Sequence, residues 1–431
     1  MRSTAARTHA LIAAIALLSA ITASCADPVV DEPQTWDDRI EPLAHFVESH
    51  RGHTFERPVK VKYLSDADFE RLTSLGGGHN STSDRADKRL QQLGIAPSGA
   101  TASQQAQQGS KLVGLYQPSN KSLLVREGDF DDQTRAVVVH ELTHALQDQV
   151  FGMPTSTPNT VDAVIATSAV IEGDATRIES DYRTEVLHER APTPEVSTPE
   201  GSTPSGSATP TDDDTTQPTG PTTTTPTDFD PHLITGSAAV NWWTTLFPYS
   251  SGALYIEQMA ATGADLDQLF NDATDYRLST AMVLGLRLPG DGDPALPTAN
   301  DNSQDDAGPF GALRWYAALG GAKNPDLETV VAAMLHESVV VTNSCVTSTI
   351  AFDSDPSATA FVQQSLAWAG TMLASARQSD ATVTMQWCPT SDTINVDATG
   401  FIPILRRHYA LAALMASGKS LPEANASYGH S

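Results

Sequence analysis

The sequence predicts an α+β fold with more helix than strand, and three observations predict it. Arg57 to Leu64 alternates Val59, Val61 and Tyr63 with Lys60 and Lys62, the period of a half-buried strand. Two long stretches, from about Gln133 to Val150 and from about Asp162 to Glu189, carry apolar residues at helical spacing. Near the C-terminus, β-branched runs at Val339–Ile350 and Thr382–Cys388 flank a helical segment at Ala358–Ala376. A chain of 431 residues is long enough for two domains, or for one large domain with insertions, and for a sizeable core.

The elements follow in order. Residues 41–190 open with the strand at Arg57–Leu64, and 65–95 read as two helical pieces parted by Gly76, Gly77 and Gly78. Leu112–Tyr116 and Leu123–Arg126 flank Gln117-Pro118-Ser119-Asn120-Lys121, a hairpin with its turn. Asp131 and Asp132 then offer a cap for the first long helix. Residues 191–230 are dominated by Thr, Pro, Ser and Asp, and no Lys or Arg occurs from 191 to 276. Such a segment cannot bury enough apolar surface to order itself and is expected to be a disordered insertion. Residues 231–300 continue the helical region, with Gly252–Thr262 and Asp265–Phe270 as helices. Pro309–Leu319 and Leu327–Leu335 open an α+β region over 301–431, which closes with an amphipathic helix at Ile402–Ser417. Pairing the two C-terminal strands would bring Cys345 beside Cys388.

Charge and the N-terminus bound the class. With 52 acidic against 26 basic residues the net charge is -26, which argues against a nucleic-acid partner, because phosphate binding relies on Lys and Arg. No apolar run reaches the length of a membrane span. Arg2 and Arg7 precede a short apolar stretch, Ala10–Ala23, the pattern of a secretory signal over residues 1–24. It ends in Ile21-Thr22-Ala23-Ser24-Cys25, which resembles a bacterial lipobox and implies lipidation of Cys25, with 25–40 as a tether. The other reading is cleavage after Ala26 and secretion. Three cysteines with one lipidated leave Cys345 and Cys388 as a candidate disulfide in an oxidising compartment.

The chemistry is carried by His140-Glu141-Leu142-Thr143-His144. Residues four apart on a helix share a face, so both imidazoles can grip one metal ion while Glu141 sits beside them to take a proton from water. A catalytic zinc site wants a third protein ligand and an open position. Gln147 and Val150 stand where a longer motif would place Gly and a third His, so the ligand must come from elsewhere. Glu172 follows an apolar and small run inside the next helix, where an unpaired carboxylate is costly. Asp174 faces away from it, and Glu179 shares its face but has Arg183 as a partner one turn on. Asp174 and Asp148 are candidates to support a ligand histidine from behind.

The segment His140–Gln149 (HELTHALQDQ), with Glu172-Gly173-Asp174-Ala175 downstream, resembles exported bacterial metallopeptidase-like proteins of the gluzincin type, the broad group that includes thermolysin. Tyr116–Lys121 before the helix and Phe247-Pro248-Tyr249…Gly252 after it add to the likeness, which is strong over about 110–190 and faint beyond 290. The resemblance implies a zincin-like catalytic unit (a small sheet with a hairpin, the HExxH helix and the following Glu helix) joined to a helix-rich C-terminal region. It implies one Zn2+ per chain on His140, His144 and Glu172, with Glu141 as catalytic base. Thr176 stands where thermolysin has an acidic residue, a departure at the support of the ligands. Tyr249, then Tyr182 and His232, are candidates to stabilise the oxyanion. The expected function is an exported, membrane-anchored zinc metallopeptidase acting on peptides or proteins. The alternatives are a non-catalytic envelope binding or scaffold lipoprotein and a zinc hydrolase of another amide or ester.

Overall fold

The computed structural model describes residues 35–76, 113–154, 160–189, 237–288, 309–319, 326–342, 345–369 and 373–388. The signal segment with Cys25, the 191–230 insertion, His232 and Ile402–Ser417 lie outside the described residues. The fold is mixed α+β with two small sheets.

The first sheet is built from β1 (Lys60–Leu64), β2 (Gly114–Gln117) and β3 (Ser122–Arg126), in the order β1-β3-β2. β1 runs parallel to β3, while β2 and β3 form the antiparallel hairpin, leaving β2 as an edge. Before the sheet comes α1 (Glu41–Arg51), to which the sequence reading assigns no element. Pro42 opens it, Gly52 closes it at φ 81°, and Leu43, Ala44 and Val47 are its buried stripe. α2 (Asp66–Gly76) lies between β1 and β2.

α3 (Asp132–Val150) starts where Asp131 accepts the Thr134 N–H at 2.8 Å. From Val138 to Asp148 every residue of α3 is buried, so it is a central helix rather than an amphipathic surface one. One side packs on the first sheet and α1. The other meets α4 (Val161–Glu185), capped by Thr160, which accepts the Ala163 N–H at 3.2 Å.

α4 is shared by two cores. Its first half (Val161, Ile165, Ala166, Ala169, Val170) lies in the larger one, with α5 (Ser237–Ala261), α6 (Leu266–Thr274), α7 (Thr280–Leu284), α8 (Ala312–Leu319) and α9 (Leu327–Ala332). Its second half, through Ile178 and Tyr182, joins the smaller core with α1, the first sheet and α3. The helices α4 and α5 approach so closely that a Cβ on Gly173 would stand 2.3 Å from the Gly252 carbonyl carbon, and one on Gly252 would stand 2.1 Å from Ala169 O. Both positions therefore require glycine.

The second sheet has the order β4-β5-β7-β6, all antiparallel, from β4 (Met334–Thr342), β5 (Cys345–Phe352), β6 (Leu373–Ser379) and β7 (Thr382–Trp387). α10 (Asp355–Ala369) links β5 to β6. Three expectations need correction here. Val339–Ile350 is not one strand but two, turned back between Thr342 and Cys345. The helix expected to reach Leu335 gives way to β4 at Met334. The helix expected to reach Ala376 ends at Ala369, and β6 follows. β5 pairs with β7 with Val346 opposite Trp387, and Cys345 is joined to Cys388 by a disulfide across 43 residues of chain.

Buried polar groups hold this region to the start of α4. Glu337 of β4 accepts hydrogen bonds from Gly311 N (3.0 Å), Trp315 Nε1 (2.9 Å) and Ser348 Oγ (2.7 Å). Asp162 of α4 accepts from Thr280 N at 3.2 Å and Thr280 Oγ1 at 2.5 Å. Burial pushes both carboxyls upward, and these donors offset part of that cost.

Candidate metal centre

The structure brings His140, His144 and Glu172 together at the seam between the two cores. His140 Nε2 and His144 Nε2 are 3.1 Å apart, and each lies 3.2 Å from Glu172 Oε2. The two imidazoles come from one face of α3, as their spacing of four requires, and Glu172 comes from the middle of α4. These three residues can hold a metal ion; they are the one such group among the described residues. Both histidines are buried, with 8% and 9% of their surface exposed.

Electrostatics follow from that convergence. Burial alone would lower the His140 pKa, but the carboxylates of Glu172 and Glu179 outweigh it and raise it to about 10. For His144 burial again opposes, and Glu172 prevails and raises it. Burial would raise Glu172, yet His144 and His140 hold it well below the usual carboxylate range. Two imidazoles and one carboxylate thus share a compact polar pocket in which positive charge is favoured.

Each histidine is also held from behind, by different means. Glu179 Oε2 lies 3.2 Å from His140 Nδ1, as an ion-pair contact rather than a straight hydrogen bond. Its other oxygen receives Arg183 at 2.8 and 3.0 Å, so the partner expected from the sequence and the histidine use opposite edges of one carboxylate. His144 Nδ1 meets Gln147 Oε1 at 3.0 Å. Asp174 reaches His144 only through that amide, accepting from Gln147 Nε2 at 3.2 Å, and it is fully buried with Arg51 and Arg177 as its cationic partners. Thr176, at the departure from the thermolysin-like pattern, is half-buried with no hydrogen-bond partner on its buried hydroxyl, and Glu179 stands behind His140 instead.

Asp148 is directed away from the histidines. It accepts from Tyr116 Oη at 2.6 Å, from Lys121 Nζ at 2.7 Å and from Met153 N at 3.1 Å, and so locks the hairpin onto α3. The lock aligns β2 with the neighbouring Glu141, whose Oε2 accepts the Tyr116 N–H at 2.7 Å. Gly114 lies against the same side chain, since a Cβ there would come within 3.6 Å of Glu141 Cγ.

Of the three oxyanion candidates, one is at the site. Tyr249 stacks on His140 with ring centroids 6.1 Å apart and an angle of 23°. Its residue surface is 43% exposed, while burial of the phenol end and the charges of Glu172 and Glu141 push the hydroxyl above the ordinary tyrosine value. Tyr182 is instead a core residue, packed edge-on against Phe46 at 5.0 Å, and His232 is outside the described residues. Arg51 carries no motif signal, and although Gln147 and Tyr116 fall within segments of the family resemblance, the sequence reading assigns neither a role at the site. The heptad from Glu172 to Glu179 does place both carboxylates on one face.

No family model, curated protein or solved structure matches the chain.

Proposed function

We propose that this chain is an exported zinc metallopeptidase, anchored to the membrane through lipidated Cys25, with a zincin-like catalytic unit. The observation that carries the reading is the convergence of His140, His144 and Glu172 with Glu141 beside them. The three donor atoms are 3.1 and 3.2 Å apart, close to the edge of about 3.3 Å for a tetrahedron with zinc–ligand bonds of about 2.0–2.1 Å. A His2Glu donor set suits zinc and leaves a coordination position open. Bound zinc would supply Lewis acidity, which brings the pKa of water toward neutrality and polarises a carbonyl.

The chain's own residues account for the rest. Glu141 is tied by one oxygen to the Tyr116 N–H, which fixes the carboxylate plane and leaves the other oxygen to take a proton from water and later deliver it to the leaving amine. Tyr249, half-exposed over His140, is placed to donate a hydrogen bond to a carbonyl oxygen as charge develops on it. β2 is an edge strand, so the outward backbone groups of Gly114 and the Tyr116 carbonyl can pair with an extended peptide laid beside Glu141, the Tyr116 N–H being taken by Glu141 itself. The disulfide between Cys345 and Cys388 supports an oxidising, exported location.

Elemental analysis of the purified full-length chain tests the reading. One zinc per chain, lost in Glu172→Ala, is expected. A folded wild-type protein that takes up no zinc when zinc is offered would overturn it. Digestion of a broad peptide library, with Glu141→Ala as control, then separates peptidase activity from hydrolysis of another amide or ester.

A further inference from the structure

The side-chain amide of Gln147 has one donating and one accepting end, and the fold leaves it one orientation. Its Nε2 lies 3.1 Å from Ile171 O and 3.2 Å from Asp174 Oδ2. Both are acceptors only, so a reversed amide would set oxygen against two oxygens. Oε1 must therefore face His144, whose Nδ1 is 3.0 Å away. An amide oxygen can only accept, so Nδ1 must carry a proton. A neutral imidazole protonated on Nδ1 keeps its lone pair on Nε2, and that nitrogen faces His140 and Glu172.

We infer that Gln147 and Asp174 are positioning residues for the metal centre: Asp174 orients the Gln147 amide, which fixes His144 in the tautomer that presents Nε2 as a ligand. The inference rests on the metal-site reading above and deepens it. Asp174 can serve because it is fixed in place with no exposed surface, accepting Arg51 Nε at 2.9 Å and an Arg177 nitrogen at 3.2 Å. Arg51 itself is clamped, with its guanidinium over the rings of Phe151 and Phe270 and a further contact to Asp267 at 3.2 Å. The last residue of α1 thus acts on His144 through two side chains. His140 is backed differently, by the charge of Glu179. A neutral amide behind His144 fixes direction without adding a second negative charge at the site.

A purely structural pair, in which Arg51 and Asp174 merely fasten α1 to α4, predicts different results. The experiment measures zinc affinity by competition with a chelator on the full-length chain, with thermal unfolding recorded alongside. Gln147→Met keeps length and helix propensity but removes both hydrogen-bonding ends, and zinc binding should weaken 10–100-fold. Asp174→Ala and Gln147→Glu should each weaken it too, the first by removing one of the two acceptors that orient the amide and the second by setting a carboxylate oxygen against Asp174 Oδ2 and Ile171 O. A merely structural role for Gln147 would lower Tm in Gln147→Met and leave zinc affinity at the wild-type value. Wild-type affinity in Gln147→Met would overturn the inference while leaving the zinc reading intact. Absence of zinc from the wild type would remove both. If the Asp174 variant does not fold, Gln147→Met decides alone.

Discussion

Gly252→Ala is the sharpest test of how the two cores meet. A methyl on residue 252 would lie 2.1 Å from Ala169 O and 2.9 Å from its carbonyl carbon. The obstacle is backbone, which no rotamer change can move aside. Contact at about 3.2 Å requires α5 to withdraw from α4 by about 1 Å, in a close-packed region that yields little. Alanine gains about 1 kcal/mol of helix propensity over glycine, whereas overpacking of this kind costs about 3 kcal/mol. The net loss is about 2 kcal/mol, or roughly 4–8 °C in Tm at 2–4 °C per kcal/mol. The functional effect should exceed the stability effect, because Tyr249 sits three residues before Gly252 and owes its place over His140 to this contact. The assays are thermal unfolding and peptide turnover, with Gly152→Ala as a control: that glycine has φ 75° and an open surrounding, so strain there is local. An unchanged Tm and unchanged turnover in Gly252→Ala would refute the packing argument.

Three further outcomes are expected. Tyr249→Phe should lower turnover at least tenfold and leave zinc content intact; unchanged turnover would remove the hydroxyl from the mechanism. Replacing Cys345 and Cys388 together by alanine releases a loop of 43 residues, which should cost about 4 kcal/mol by chain entropy and be read as a lower Tm with zinc affinity unaltered. In the metal-free protein, the stabilising contribution of His140, raised to about 10 from 6.5, is complete below pH 6.5 and is lost as pH rises through 10. The depressed carboxylate of Glu172 contributes above its ordinary value near 4.5 and loses that contribution on acidification. Unfolding scans with chelator present should therefore show these two contributions together between about pH 4.5 and 6.5, and a Tm that rises from pH 7 to 10 would contradict the cluster as described.

What could be read in advance, and what could not, divides along physical lines. The hairpin and α3 were legible because their signals are local: a Pro-Ser-Asn turn between β-branched or apolar runs, and an Asp cap before a helical period. β6 was not, because Leu373-Ala374-Ser375-Ala376 has the composition of a helix and becomes a strand through pairing with β7, with Gln378 opposite Val383. The break between β4 and β5 was hidden for the opposite reason, since β-branched residues continue on both sides of it. At the site, the spacing of four put His140 and His144 on one helix face and the apolar run before Glu172 singled it out as the third donor, but the supports behind them depend on elements far apart in the chain. Arg51 meets Asp174 across 123 residues, a distance over which no periodicity speaks.

The position of Glu172 links these observations. A helix whose first half belongs to one core and whose second half belongs to another is held at both ends by packing, which leaves its middle free to be polar. Glu172, Asp174 and Glu179 fall in or just past that middle, each with partners on α3, α1 or α4 itself. A carboxylate within the larger core has to be met by neutral donors, as Glu337 is; at the seam Glu172 faces two imidazoles. The apolar run from Ala163 to Ile171 is therefore not only packing. It fixes the axial height of α4 against α5, and the glycine pair 173/252 sets the approach, so that the third donor arrives within 3.2 Å of both histidines.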